Sequence, residues 1–333
     1  MQSITIGANE AGQRMDKFLS KYLKEAGRGF IYKMLRKKNI TRNGKKCDGS
    51  EILAVGDEIK LFLSDETITR FSGTGEESGA DEAPGRKEDA QPIPEIVYED
   101  ADIILFNKPA GLLSQKAEAG DISLNELLLR YLKESGQLTT EDLRAFRPGI
   151  CNRLDRNTSG LLIAGKSLPG LQTMSELIRT RKVGKFYRTI VRGRIGHGMR
   201  LDGYLRKDAA ANRVSVFPEK QDPRDERIIT EYRPLAKSDK ATLLEVRLVT
   251  GKTHQIRAHL ASAGHPVAGD FKYGNRAWNE TLRRELGISY QLLHAARLEM
   301  PYEVQEPLGR LGGKVFTAEE PELFRRAVKY LIG

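Results

Sequence analysis

The chain predicts an α+β fold with a mixed, largely antiparallel sheet, flanked by helices and loops and preceded by a small α/β module. Three observations carry this. Beyond residue 95, strand-like stretches follow one another more often than they alternate with helices, which argues against a doubly wound parallel sheet. The length of 333 residues suggests two domains. An acidic stretch rich in Gly and Pro divides the chain into a small and a large part, both basic.

In the small part, residues 1–64, Met15, Phe18, Leu19, Tyr22, Leu23 and Ala26 follow helical spacing, with Gly27 as a stop. A second short helix carries Phe30, Ile31, Met34 and Leu35 and turns Lys33, Arg36, Lys37 and Lys38 to its other face. Asn43-Gly44 marks a tight hairpin turn, and Val55-Gly56-Asp57 leads into the strand EIKLFL. Between Ala26 and Cys47 there are eight basic residues and no acidic one. Two helices feeding a basic hairpin suit phosphate contact, so Lys33, Arg36, Lys37 and Lys38 are candidate phosphate-contacting residues.

Residues 65–94 read as an acidic, flexible linker. This stretch has too little apolar side chain to offset its ordering entropy. Its GTGEESG is not a phosphate loop, because acidic neighbours would repel phosphate and no strand precedes it.

In the large part, residues 95–333, IVYEDADIILFNKP predicts two strands around an acidic turn, and Ser123 a cap for a helix running to Leu132. LLIAG, KFYRTIVRG, NRVSVF, IITEYRPL, ATLLEVRLV and LLHAARLEM predict strands, interrupted by helices at Leu168–Thr180 and His254–Ala263.

Charge narrows the function. Lys and Arg exceed Asp and Glu by 55 to 45, a net of +10. Residues 1–64 hold thirteen basic and seven acidic side chains, residues 65–95 three and nine, and residues 96–333 the remaining 39 and 29. Two basic bodies joined by an acidic stretch suggest a polyanionic partner. No apolar run is long enough to span a membrane, and the N-terminal residues lack a signal-peptide core, so a cytoplasmic protein is expected. Cys47 and Cys151 are too few for a disulfide framework or zinc site, and the five histidines show no i,i+4 pair. No Ser sits in a nucleophile elbow. Gly251-Lys252-Thr253 ends like a phosphate loop, but Val246 stands where that loop needs Gly, so no nucleotide cofactor and no metal is expected.

What remains for chemistry is CNRLDRNTSGLLIAGKS, residues 151–167. Asp155 lies between Arg153 and Arg156, ahead of a Gly-containing turn into a strand. That is a loop at a sheet edge, where catalytic groups and turn-stabilising aspartates both occur. In LVTGKTHQIRAHL, Ile256 and Leu260 would face the core with Arg257 one position off. KFYRT places Tyr187 on one side of a strand with Lys185 near its start, and residues 177–201 hold eight Arg or Lys and no acid.

RLDRNTSGLLIAGK, KFYRT and LVTGKTHQIRAHL, with NKPAGL and LLHAARL beside them, resemble the aspartate, tyrosine, arginine and flanking motifs of the RluA-type pseudouridine synthases. The match runs in the expected order over most of residues 95–302. Residues 1–64 resemble the small RNA-binding module first known from a small-subunit ribosomal protein, an arrangement also seen in this family. The resemblance implies a catalytic Asp155, a Tyr187 that stacks on the target base, an Arg257 that partners Asp155, and an Arg153 that helps displace the flipped nucleotide. Lys185 is an RNA-binding candidate beside them. Asn152 stands where many members have His, Lys252 where Arg is frequent, Thr189 where Ala is frequent, and Met300-Pro301 where an aromatic ending is usual.

The implied reaction detaches uracil from its ribose, rotates it and rejoins it through carbon. No cofactor is implied. A carboxylate would stabilise or attack the electron-deficient anomeric carbon, or remove a neighbouring ribose proton to give a glycal. Extruding the uridine costs a few kcal/mol, which a stacking aromatic worth about 1–3 kcal/mol per base helps to offset. The Tyr187 phenol is also a candidate acceptor for the proton on carbon 5. The expected partner is RNA, with ribosomal RNA favoured over tRNA, and the expected state is a monomer. The alternatives are a tRNA-directed synthase and a non-catalytic RNA-binding protein of ribosome assembly.

Overall fold

A computed structural model describes residues 1–7, 10–72, 91–118, 120–139, 142–208 and 210–333. The small part contains β1 (Gln2–Thr5), α1 (Met15–Tyr22), α2 (Arg28–Arg36), β2 (Ile40–Arg42), β3 (Lys45–Lys46), β4 (Glu58–Leu61) and α3 (Asp65–Ser72). Its four strands form an antiparallel sheet in the order β1-β4-β2-β3. The apolar faces of both helices close over it through Phe18, Leu19, Ile31 and Leu35. The hairpin turn falls at Asn43-Gly44, where both residues have positive φ, 50° and 71°. Asp57 fastens this corner by accepting from Arg42, Asn43 and the Ala54 amide. Gly27 leads into α2 rather than ending a longer α1.

One expected boundary moves. Residues 65–72 were assigned to the linker, but they form α3, whose Ile68 and Phe71 pack on the core of the small part. The Phe71 ring lies 4.6 Å from that of Phe30. Two apolar residues three apart in DETITRFS suffice once a receptive surface is present. Residues 73–90 of the expected linker lie outside the described residues.

The large part runs β5 (Ile96–Glu99), β6 (Ile103–Lys108), α4 (Leu124–Glu134), α5 (Asp142–Ala145), β7 (Gly149–Ile150), β8 (Ser159–Gly165), α6 (Leu168–Arg179), β9 (Gly184–Arg192), β10 (Met199–Asp208), β11 (Arg213–Phe217), β12 (Glu226–Lys237), β13 (Ala241–Leu248), α7 (Gln255–Ser262), α8 (Arg276–Leu286), β14 (Leu293–Glu299), β15 (Val315–Thr317) and α9 (Glu322–Leu331). The strands form one sheet in the order β11-β10-β12-β13-β9-β14-β8-β6-β5, with β15 on β14 and β7 on β8. Every described pairing in it is antiparallel except β14 with β8. The fold is therefore α+β with a mixed, largely antiparallel sheet.

That parallel contact needs a glycine. At Gly160 of β8, φ is +107°, and a Cβ would come within 2.3 Å of the Ala295 carbonyl oxygen on β14. Ser123 precedes α4 as expected, but its hydroxyl bonds the Glu126 carboxylate and caps no backbone N–H. Ser167 does cap α6, accepting from the Gly170 amide at 3.1 Å. Among the described residues no helix is long and apolar enough to cross a membrane.

Candidate active site

Asp155 sits in the loop between β7 and β8, and that loop is pinned from both sides. The Cys151 amide donates to the Ile163 carbonyl at 2.7 Å, and the Asn152 side chain accepts the Ile163 amide at 2.8 Å. Ser114 Oγ donates to the Leu154 carbonyl at 2.8 Å and accepts the Leu154 amide at 3.0 Å. Lys108, fully buried on β6, donates to the carbonyls of Pro109, Leu112 and Arg156. Burial pushes the Lys108 ammonium down to about 7, against the opposing pull of the Asp155 charge. With its backbone held, Asp155 turns its carboxyl, 24% exposed, into a cavity of about 650 Å³.

The opposite wall comes from the turn after β13. Gln255 fixes it: its side chain accepts from Thr250 Oγ1 and the Lys252 amide and donates to the Ile229 carbonyl. This sets α7, whose Ile256 and Leu260 face the core. Arg257, also buried, reaches across it to donate from Nη1 to Asp155 Oδ2 at 2.8 Å. Its remaining edge meets Asp270 in a two-pronged contact, Nε to Oδ2 at 2.7 Å and Nη2 to Oδ1 at 2.9 Å. The guanidinium also lies 5.3 Å from the centre of the Tyr273 ring. Burial works against the Asp270 anion, but Arg257 and the amides of Tyr273 and Lys272 outweigh it and hold the carboxyl below its usual range. The cost of burying this guanidinium is met by two carboxylates and an aromatic face.

Tyr187 lies on β9, paired with Val246 of β13 and Ala295 of β14, and its buried ring lines the cavity. Burial, reinforced by the Asp155 charge, pushes its phenol far up. Lys185 and Arg153 line the same cavity, and burial lowers the Lys185 ammonium. The structure thus brings Asp155, Tyr187, Arg257, Arg153 and Lys185 together from β8's entry loop, β9 and α7. Lys33, Arg36, Lys37 and Lys38 are exposed at the C-terminal end of α2 and do not line it.

Sequence reasoning did not find Asp270, His254, Tyr273 or Lys108 as part of this site. Asp270 stands thirteen residues beyond Arg257 in the loop before α8. Only the three-dimensional turn brings it back, and no spacing rule announces it. Among the described residues no group of three His, Cys, Asp or Glu is placed to hold a metal.

A basic α+β protein whose cavity joins a carboxylate, a guanidinium and an aromatic ring has the parts of an enzyme that handles a nucleotide drawn out of RNA. Residues 102–262 match the family model described as RNA pseudouridylate synthase. The ribosomal large subunit pseudouridine synthase C of Escherichia coli strain K12 is 32% identical over 308 residues, 90% of this chain and 88% of the relative. Its namesake in Vibrio vulnificus is 30% identical over 330 residues, 95% of each chain. Among solved structures, the human RNA pseudouridylate synthase domain-containing protein 4 superposes with a TM-score of 0.56 at 21% identity, covering 70% of this chain and 91% of that one, a likeness of fold. The chain belongs to the RNA pseudouridine synthase family. Its activity is the isomerisation of uridine in RNA.

Proposed function

We propose that this chain converts uridines of large-subunit ribosomal RNA to pseudouridine, as a cytoplasmic monomer without a cofactor, and that Asp155, Tyr187 and Arg257 carry the reaction. The observation behind the residue roles is the 2.8 Å bond from Arg257 to an Asp155 carboxyl that still faces the cavity. A carboxyl at this position, held by a guanidinium, can meet the anomeric end of a ribose as the glycosidic bond opens. The preference for large-subunit RNA rests on the names of the relatives, while the excess of Lys and Arg suits RNA of any kind.

The roles divide as follows. Asp155 acts on the sugar. Arg257, locked by Asp270, sets the position of Asp155. Tyr187 stacks on the base. A phenol held protonated is a poor base, so its surroundings favour stacking over proton removal from carbon 5. Arg153 and Lys185 hold the displaced strand or its phosphates. Lys33, Arg36, Lys37 and Lys38 grip RNA at a second place, on the small module. That module extends over residues 1–72 in this reading, with the catalytic domain following the linker.

The test is pseudouridine formation on large-subunit rRNA by the wild-type protein and by Asp155→Asn. The substitution is expected to abolish product while RNA binding survives. Near-normal turnover by the variant would remove Asp155 from the mechanism. Modification of tRNA alone would overturn the assignment of substrate.

A further inference from the structure

One wall of the Asp155 cavity belongs to His254, a residue the roles above leave unused. Its backbone is left-handed, with φ 53° and ψ 15°, a conformation uncommon for a residue with a Cβ and concentrated at functional sites. His254 stands at the N-cap of α7, yet its side chain caps no helix amide. The ring is aimed at Tyr273 instead. Its Nδ1 lies 2.9 Å from the phenolic oxygen, which also accepts the Val214 amide at 2.9 Å. Among the described residues, Nδ1 is then the acceptor for the phenol's own proton. A neutral imidazole has one accepting nitrogen and one N–H, so this bond places the proton on Nε2. Burial keeps the ring neutral. The Asp155 and Asp270 charges oppose that lowering, and those of Arg257 and Lys272 support it.

The Nε2–H therefore faces the Asp155 carboxylate, at 3.9 Å from Oδ2. The two are too far apart to bond directly, but both can reach one atom placed between them. That atom must accept from Nε2–H and donate to Oδ2. Uracil N3–H only donates and the uracil carbonyls only accept, whereas a hydroxyl oxygen does both. Within an RNA strand the 2′-hydroxyl is the free ribose hydroxyl, one carbon from the bond that opens. Oδ2 has a second lone pair for it beside the Arg257 bond.

We propose that His254 Nε2–H and Asp155 Oδ2 together hold the 2′-hydroxyl of the target nucleotide, making His254 a specificity-determining residue that separates ribose from deoxyribose at this one position. The proposal rests on the reading that Asp155 meets the target ribose. Tyr273 is its positioning residue, setting the tautomer of His254.

The experiment measures equilibrium binding of a large-subunit rRNA stem–loop that the wild-type protein modifies, made with uridine or with 2′-deoxyuridine at the target and ribose elsewhere. It is run in an Asp155→Asn background, where the amide oxygen still accepts. The ribose form is expected to bind about 3–10-fold tighter, the worth of one neutral hydrogen bond. Adding His254→Asn, whose side chain tolerates the left-handed backbone, should remove most of that preference. Adding Tyr273→Phe should narrow it. Equal ribose preference with and without His254, or no preference at all, overturns the proposal. If the His254 variant does not fold, an unchanged preference in the Tyr273→Phe protein overturns it instead. Pseudouridine in RNA recovered from the Asp155→Asn reactions would count against the role of Asp155 and is read separately, by primer extension after carbodiimide treatment.

Discussion

Asp270→Asn isolates the part of the site that was invisible in the sequence. The carboxylate is 1% exposed and makes four bonds, two to Arg257 and two to the amides of Lys272 and Tyr273. Asparagine keeps the oxygen facing the two amides and presents an NH₂ to one prong of the guanidinium, so donor meets donor. Removing one partner of a buried pair costs about 3–5 kcal/mol. With three of the four bonds retained, the lower end, about 3 kcal/mol, is expected, which for a domain of this size is roughly 6–12 °C in Tm. Turnover should also fall, on the order of 100-fold, because Arg257 no longer holds Asp155 in place. Thermal unfolding and pseudouridine formation on the same preparations read both effects, with Asp155→Asn as the contrast, inactive but little destabilised. The pH dependence follows from the direction of the shift. A carboxyl held below its usual range stabilises the fold above about pH 4, and that contribution is lost as pH falls further. The variant should lack this acid-limb dependence. Melting within a degree of wild type with turnover intact would refute the claim that Asp270 anchors Arg257.

Other perturbations separate the remaining contributions. Lys108→Met orphans three carbonyls and should lower stability by about 3 kcal/mol, since each unsatisfied group costs about 1–3 kcal/mol. The folded protein releases the Lys108 proton near pH 7, while the unfolded chain keeps it to about 10.4. Wild-type stability should therefore rise with pH across that window, and a variant with the same rise would contradict the assignment. Replacing Lys33, Arg36, Lys37 and Lys38 together by Gln should reduce the slope of log affinity against log salt by roughly 3 units, with little effect on turnover of a short stem–loop; an unchanged slope would remove the α2 end from the RNA contact. Gly160→Ala should prevent β8 and β14 from closing, seen as loss of a cooperative melt, and a normal melt would show that the strands can part at that point.

How far the sequence could be read follows from where each signal lies. Alternating strands such as KFYRTIVRG and ATLLEVRLV carry their burial pattern in themselves, and so the sheet was legible. Asp155 was legible as a loop residue ahead of a strand, and Arg257 as one step off an apolar helix face. The strand β10 was not, because MRLDGYLRKD mixes charges into both faces and is ordered by its neighbours β11 and β12. Helix α3 took its stability from Phe30 and the module core rather than from its own residues. Helix α9 went unassigned, although Phe324, Ala327 and Leu331 stand at helical spacing. The contacts around Arg257 were out of reach, since a side chain with three charged or aromatic neighbours looks in sequence like any basic residue on a helix.

The order of strands has a consequence for synthesis. Tyr187 belongs to β9 and Asp155 to the entry of β8, and the strand lying between them is β14, residues 293–299. The two sides of the cavity are thus joined by a segment translated more than a hundred residues after both. A nascent chain short of residue 293 has both side chains and the Arg257 partner of Asp155, but not the strand that seats β8 beside β9. The cavity therefore closes late in synthesis, once β14 has left the ribosome and β8 and β9 can flank it.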